Sequence, residues 1–136
     1  MGRTKSKKRP SSPSFVPMTW DMLNSKAYKD LPHSAGKALP LFLGKIKRTY
    51  NDPERDTSTF VFPYDEAKRH GFAAATFNSI IKYLMRYGFI EPVSKGGLRS
   101  NGKSYNMFKL SRRWEKYGTP NFSEVEWACF QPHVKL

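Results

Sequence analysis

Tyr64-Asp-Glu-Ala-Lys-Arg-His-Gly-Phe-Ala-Ala-Ala-Thr-Phe-Asn-Ser-Ile-Ile-Lys-Tyr-Leu-Met-Arg-Tyr-Gly-Phe-Ile90 is the stretch on which the fold turns. It predicts a brief helix over 64–70, stopped by Gly71 in the left-handed conformation that glycine adopts without strain. A second helix begins three or four residues later and runs to Tyr87, with Gly88 as its stop. Phe77, Ile80, Ile81 and Leu84 recur at helical spacing and read as its buried stripe. Ala75, Asn78, Ser79, Lys82 and Arg86 then face outward. The field around this helix is positive: Ala67 to Trp114 holds ten basic residues and one acidic residue. Such a field suits an approach to phosphate.

Working outward toward the C-terminus, Phe89–Ser94 and Ser104–Leu110 read as two strands. They flank Lys95-Gly-Gly-Leu-Arg-Ser-Asn-Gly-Lys103, a basic hairpin loop with three glycines. Toward the N-terminus, Thr57–Phe62 is a short β-rich run ended by Pro63, and Asn51–Asp56 is a polar, solvated turn. Ser34 opens the most periodic segment of the chain. Ala35, Ala38, Leu39, Phe42, Leu43 and Ile46 form its core-facing stripe, and Pro40 predicts a kink or a fresh helical start. Thr19 caps a further helix reaching Lys29, with Trp20, Leu23, Ala27 and Tyr28 as its apolar set.

The whole chain has 136 residues, 24 basic and 11 acidic, for a net charge of +13. Apolar and aromatic contents of 38% and 15% suffice for one domain with a small core. Residues 1–17 carry five of the cations and three prolines, which predicts a disordered basic arm and linker. Lys7-Lys8-Arg9-Pro10 has the form both of a nuclear import signal and of a nonspecific phosphate-contacting arm. The domain spans 18–110, and 111–136 forms a C-terminal extension that packs back on it through residues such as Trp114, Tyr117, Phe122, Trp127 and Phe130.

No apolar run approaches the roughly 20 residues of a membrane span, and the charged start is followed by no apolar stretch of the secretory kind. The single cysteine, Cys129, allows no internal disulfide and reads as a half-buried apolar residue in a reducing, cytoplasmic setting. His33, His70 and His133 are too dispersed for a zinc set. Asp52, Glu54 and Asp56 read as solvated turn residues, and Arg112 and Arg113 as partners for Glu115, Glu124 or Glu126. No phosphate loop, nucleophile–base pair or carboxylate cluster points to catalysis, so the expectation is a noncatalytic protein without cofactor or metal.

The order helix, helix, strand, short helix, turn, long helix, strand, glycine-rich loop, strand is mainly α with a small β-sheet (α+β). Tyr64–Ala73, Thr76–Leu84 and Tyr87-Gly-Phe-Ile90 carry a resemblance, over about residues 34–110, to winged helix-turn-helix DNA-binding proteins of bacterial and phage type. Members include regulators of transcription and replication-initiation modules. The resemblance makes 74–87 the recognition helix. It implies contacts to double-stranded DNA from Ala75, Thr76, Asn78 and Ser79 at base edges or phosphates, from Lys82 and Arg86 at phosphates, and from Lys95, Arg99, Asn101 and Lys103 of the wing at the backbone or minor groove. It also implies a nucleoid association and admits a homodimer.

Where many members place serine or threonine to cap the recognition helix, this chain has Ala73. Either the helix starts late with Thr76 as its cap, or its first turn frays until DNA phosphates meet its free amides. Two other readings stand beside the leading one. They are an RNA-binding protein gripping folded RNA with the same charge, and a winged-helix module for protein interaction or dimerisation. Against the last, positions 92–114 hold no acidic residue.

Overall fold

The computed structural model describes residues 15–94 and 106–125. The arm before Phe15, the loop carrying Lys95, Arg99, Asn101 and Lys103, and the terminal stretch with Glu126, Trp127, Cys129, Phe130 and His133 lie outside the described residues. The elements run α1 (Trp20–Leu23), α2 (Lys26–Asp30), α3 (His33–Leu43), β1 (Thr59–Val61), α4 (Tyr64–Arg69), α5 (Ala74–Arg86), β2 (Ile90–Ser94) and β3 (Met107–Leu110), then a 3₁₀ turn at Arg113–Lys116. The described chain is thus α+β, with five helices and one three-stranded antiparallel sheet ordered β1-β3-β2.

Local chemistry accounts for the element boundaries. The expected single helix from Thr19 to Lys29 is two. Thr19 Oγ1 accepts from the Met22 N–H at 3.1 Å, which starts α1. Ser25 then donates to the Met22 carbonyl (2.6 Å) while accepting from the Tyr28 N–H (3.1 Å), so one hydroxyl ends α1 and caps α2. The split turns Trp20 outward, where it is 76% exposed rather than part of an apolar face. α3 begins one residue earlier than Ser34 and runs through Pro40 without a restart. Its stripe, Ala35 through Leu43, is buried as the spacing demands; the helix stops there, and Ile46, expected to continue the stripe, is buried from the turn beyond it.

α4 and α5 end in the same way. After Arg69 the Gly71 N–H bonds to the Lys68 carbonyl and the Phe72 N–H to the Ala67 carbonyl. After Arg86 the Gly88 N–H bonds to the Met85 carbonyl and the Phe89 N–H to the Leu84 carbonyl. Both glycines have positive φ (96° and 94°), and both following phenylalanines are buried. These are two Schellman closures, each with its apolar anchor.

The core centres on Phe42 of α3. Its ring centroid lies 4.7 Å from Phe62, 6.0 Å from Phe77 of α5, 6.2 Å from Phe60 of β1 and 6.3 Å from Phe108 of β3. One residue therefore joins the helical layer to the sheet. β2 pairs with β3 from Ile90↔Leu110 onward, with a bulge at Val93, and Pro92 is tolerated because β2 is a sheet edge.

The turn after α3 is less solvated than its composition suggests. Arg55 is only 3% exposed, and its guanidinium donates to the carbonyls of Leu43 (3.4 Å), Ile46 (3.3 Å) and Arg48 (2.9 Å). It closes the end of α3 where backbone acceptors lack helical partners. Asp52 and Glu54 hold Arg48, and Asp56 holds Arg112. Through residue 125 the chain beyond β3 packs on the body. Trp114 stacks on Phe89 at 6.2 Å, and its N–H donates to the Gly88 carbonyl.

Candidate nucleic-acid interface

α5 is amphipathic for a simple reason: its apolar residues repeat at three and four. Phe77, Ile80, Ile81, Leu84 and also Met85 are buried. Ala74, Ala75, Thr76, Asn78, Ser79, Lys82 and Arg86 are all exposed, so the described chain leaves that outward side uncovered. Tyr83 and Tyr87 are half-buried packing residues. Tyr83 lies beneath the Arg86 guanidinium (5.9 Å to the ring centroid), and Tyr87 lies 5.1 Å from the Tyr117 ring.

The leading end of α5 is open. Ala73 is extended (φ −74°, ψ 158°) and contributes no side-chain cap, and the helix begins at Ala74. The late start at Thr76 does not occur. The first intrahelical bond runs from the Phe77 N–H to the Ala73 carbonyl at 2.8 Å, so the amides of residues 74–76 lie ahead of the ladder on an exposed turn. They form the positive end of the helix dipole, with no acidic residue in the first turn.

Pairing elsewhere sharpens this charge distribution. Asp30, Asp52, Glu54, Asp56, Glu66, Glu91 and Glu115 each meet a cation. That leaves only Asp21, Asp65 and Glu124 of the described carboxylates outside ion pairs. The cations so used are Lys26, Lys45, Arg48, Lys109, Arg112 and Arg113. Lys37, Lys68, Arg69, Lys82 and Arg86, all exposed and all on α3–α5, meet no carboxylate among the described residues. Lys29, Lys47 and Lys116 elsewhere on the body are likewise exposed and outside these pairs, and neither cation of α5 is neutralised by a described carboxylate.

The arginines beside the 3₁₀ turn are structural. Arg112 donates to Asp56 (2.8 Å) and to the Tyr50 hydroxyl (2.8 Å). The Asp56 bond holds its guanidinium well above the ordinary arginine range, with Tyr50 adding to the effect against partial burial. Arg112 also reaches Glu115 at 3.3 Å. Arg113 pairs with Glu91 at 3.3 Å, and it donates to the carbonyls of Met85 (2.6 Å), Ile90 (3.1 Å) and Ser123 (2.7 Å). Burial pushes its pKa down, opposed by Glu91.

Among the described residues no three His, Cys, Asp or Glu side chains are grouped to hold a metal ion, and no helix is long and apolar enough to cross a membrane. An open cleft of about 410 Å³ lies at the trailing end of α5, lined by Lys26, Arg86, Tyr117, Phe122 and Glu124.

The outward set anticipated on α5 is therefore gathered on one exposed surface, whereas the four loop residues lie outside the described chain. Lys37, Lys68 and Arg69 stand outside the set that the resemblance implies. The Lys68-Arg69 pair is visible in the basic run, but Lys37 reaches the α4–α5 turn only through the fold, where its ammonium stands 5.7 Å from the Phe72 ring centroid. Comparison with family models, with curated proteins and with solved structures found no match to this chain.

Proposed function

We propose that this chain is a noncatalytic winged-helix protein that binds duplex DNA, with α5 as its reading helix and the β2–β3 hairpin as its wing. The observation that carries the reading is the bare outward side of α5, cationic and free of carboxylates on a body whose acids are mostly paired elsewhere. The element order and the antiparallel β2–β3 pair directly after α5 support the same architecture. Asn78, near the leading end, offers the donor and acceptor that match an adenine edge. Thr76 and Ser79 serve bases or phosphates, Ala75 presents a methyl surface to thymine, and Lys82 and Arg86 take phosphates. Lys95, Arg99, Asn101 and Lys103 of the wing secure the backbone. Control of transcription and initiation of plasmid or phage replication are both compatible roles.

Titration of a duplex library against salt tests this reading. With roughly 5–8 phosphate contacts, log affinity falls against log salt with a slope of about −5 to −7. Lys82→Ala weakens all sequences alike and flattens the slope by about one. Asn78→Ala relaxes preference at one base pair by about 1–3 kcal/mol. A slope near −1, or tighter binding to structured RNA at equal salt, overturns the proposal.

A further inference from the structure

We infer that Lys37, Lys68 and Arg69 form a phosphate-holding shelf at the leading end of α5. With Arg86 at the trailing end, the shelf makes this helix bridge both backbones of a B-form major groove. The inference rests on the duplex-binding reading and adds residues and a geometry to it. Lys68 and Arg69 are exposed on the last turn of α4, immediately before the Gly71 turn that delivers the chain to α5. Lys37 arrives from α3 and stands over Phe72 at the same turn. The three cations come from two helices that both pack on α5, and none meets a carboxylate among the described residues. Gly71 itself is exposed with nothing within 4 Å of where a Cβ would stand, so the surface at the turn is open.

The span sets the partner. From Ala74 to Arg86 the helix rises about 18 Å at 1.5 Å per residue. A B-DNA major groove is about 12 Å wide between its walls, and the phosphates stand on those walls. Cations at the two ends of α5 therefore meet phosphates on opposite strands while Asn78, between them, faces the base edges. An A-form RNA duplex has a deep, narrow major groove that this span does not fit. The shelf contacts are accordingly available on one duplex form and unavailable on the other.

The test compares salt slopes for the wild type, Lys37→Ala, the double variant Lys68→Ala/Arg69→Ala, and Lys47→Ala beyond the far end of α3. The probes are a 20-base-pair DNA duplex and the RNA duplex of the same sequence. The expected result is a DNA slope flattened by about two in the double variant and by about one in Lys37→Ala, with Lys47→Ala at the wild-type value. RNA slopes are unaffected by any of the three variants, and circular dichroism melts report that each variant is folded. An unchanged DNA slope in the shelf variants, an equal loss with Lys47→Ala, or an equal loss on RNA overturns the shelf while leaving duplex binding intact. A wild type that binds no DNA duplex overturns the underlying reading and the shelf with it.

Discussion

Gly71 and Gly88 have the same backbone role and different surroundings, which makes them a matched pair. A Cβ on Gly71 meets open space, so alanine there brings only the left-handed strain, about 1–2 kcal/mol. A Cβ on Gly88 would stand 2.5 Å from the Trp114 nitrogen and 2.8 Å from the Arg113 carbonyl carbon, both rigid backbone atoms. Alanine there also threatens the Trp114 N–H bond to the Gly88 carbonyl and the stacking of Trp114 on Phe89. Urea unfolding should show Gly88→Ala losing about 2–5 kcal/mol in all. Equal losses for the two variants would mean that the close approach of the C-terminal segment contributes nothing.

At the scale of elements, helix ends are closed by arginines drawn from elsewhere in the chain. Arg55 closes α3, and Arg113 joins the end of α5 to β2 and to Ser123. Arg113→Met leaves Glu91 without its guanidinium partner and strands several carbonyls, so a loss of roughly 3 kcal/mol is expected. Arg113→Lys should recover only part of it, because a point charge cannot reproduce the fork. Thermal melts of the two variants check the order, and full recovery with lysine would show that charge alone matters. These contacts mark where sequence legibility ended. The α5 stripe and both Gly-Phe stops were readable because period 3.6 and glycine punctuation act within a few residues. The apolarity of Trp20 alone points inward, although Ser25 carries the signal that breaks the helix. Arg55 was not readable: a buried cation satisfied by carbonyls 7 to 12 positions away has no spacing rule, and its neighbours Asp52, Glu54 and Asp56 made the turn look solvated. On α5 the outward residues were legible as a set, whereas Lys37 joins them only through the packing of α3 on α5.

The whole molecule carries +13, and among the described residues Lys37, Lys68, Arg69, Lys82 and Arg86 of α3–α5 stand outside ion pairs, so like charges repel one another on that side. Two electrostatic terms compete there as salt is added. Screening weakens exposed ion pairs, each worth about 0–1 kcal/mol, and it also relieves long-range repulsion among like charges. The pairs act at contact distance, where screening is least effective. The repulsion acts over the separations that matter as the Debye length contracts from about 30 Å at 0.01 M to about 8 Å at 0.15 M. Relief of repulsion should win, so Tm rises over that interval. Removing the cations of the shelf should then raise Tm at 0.01 M, with the gain shrinking toward 0.15 M, in the same Lys68→Ala/Arg69→Ala protein that holds duplex DNA less steeply. Scanning fluorimetry across the salt series measures both effects. A Tm that falls with salt would show that the ion pairs dominate. A shelf variant no more stable than wild type at low salt would show that those positive charges do not strain the fold.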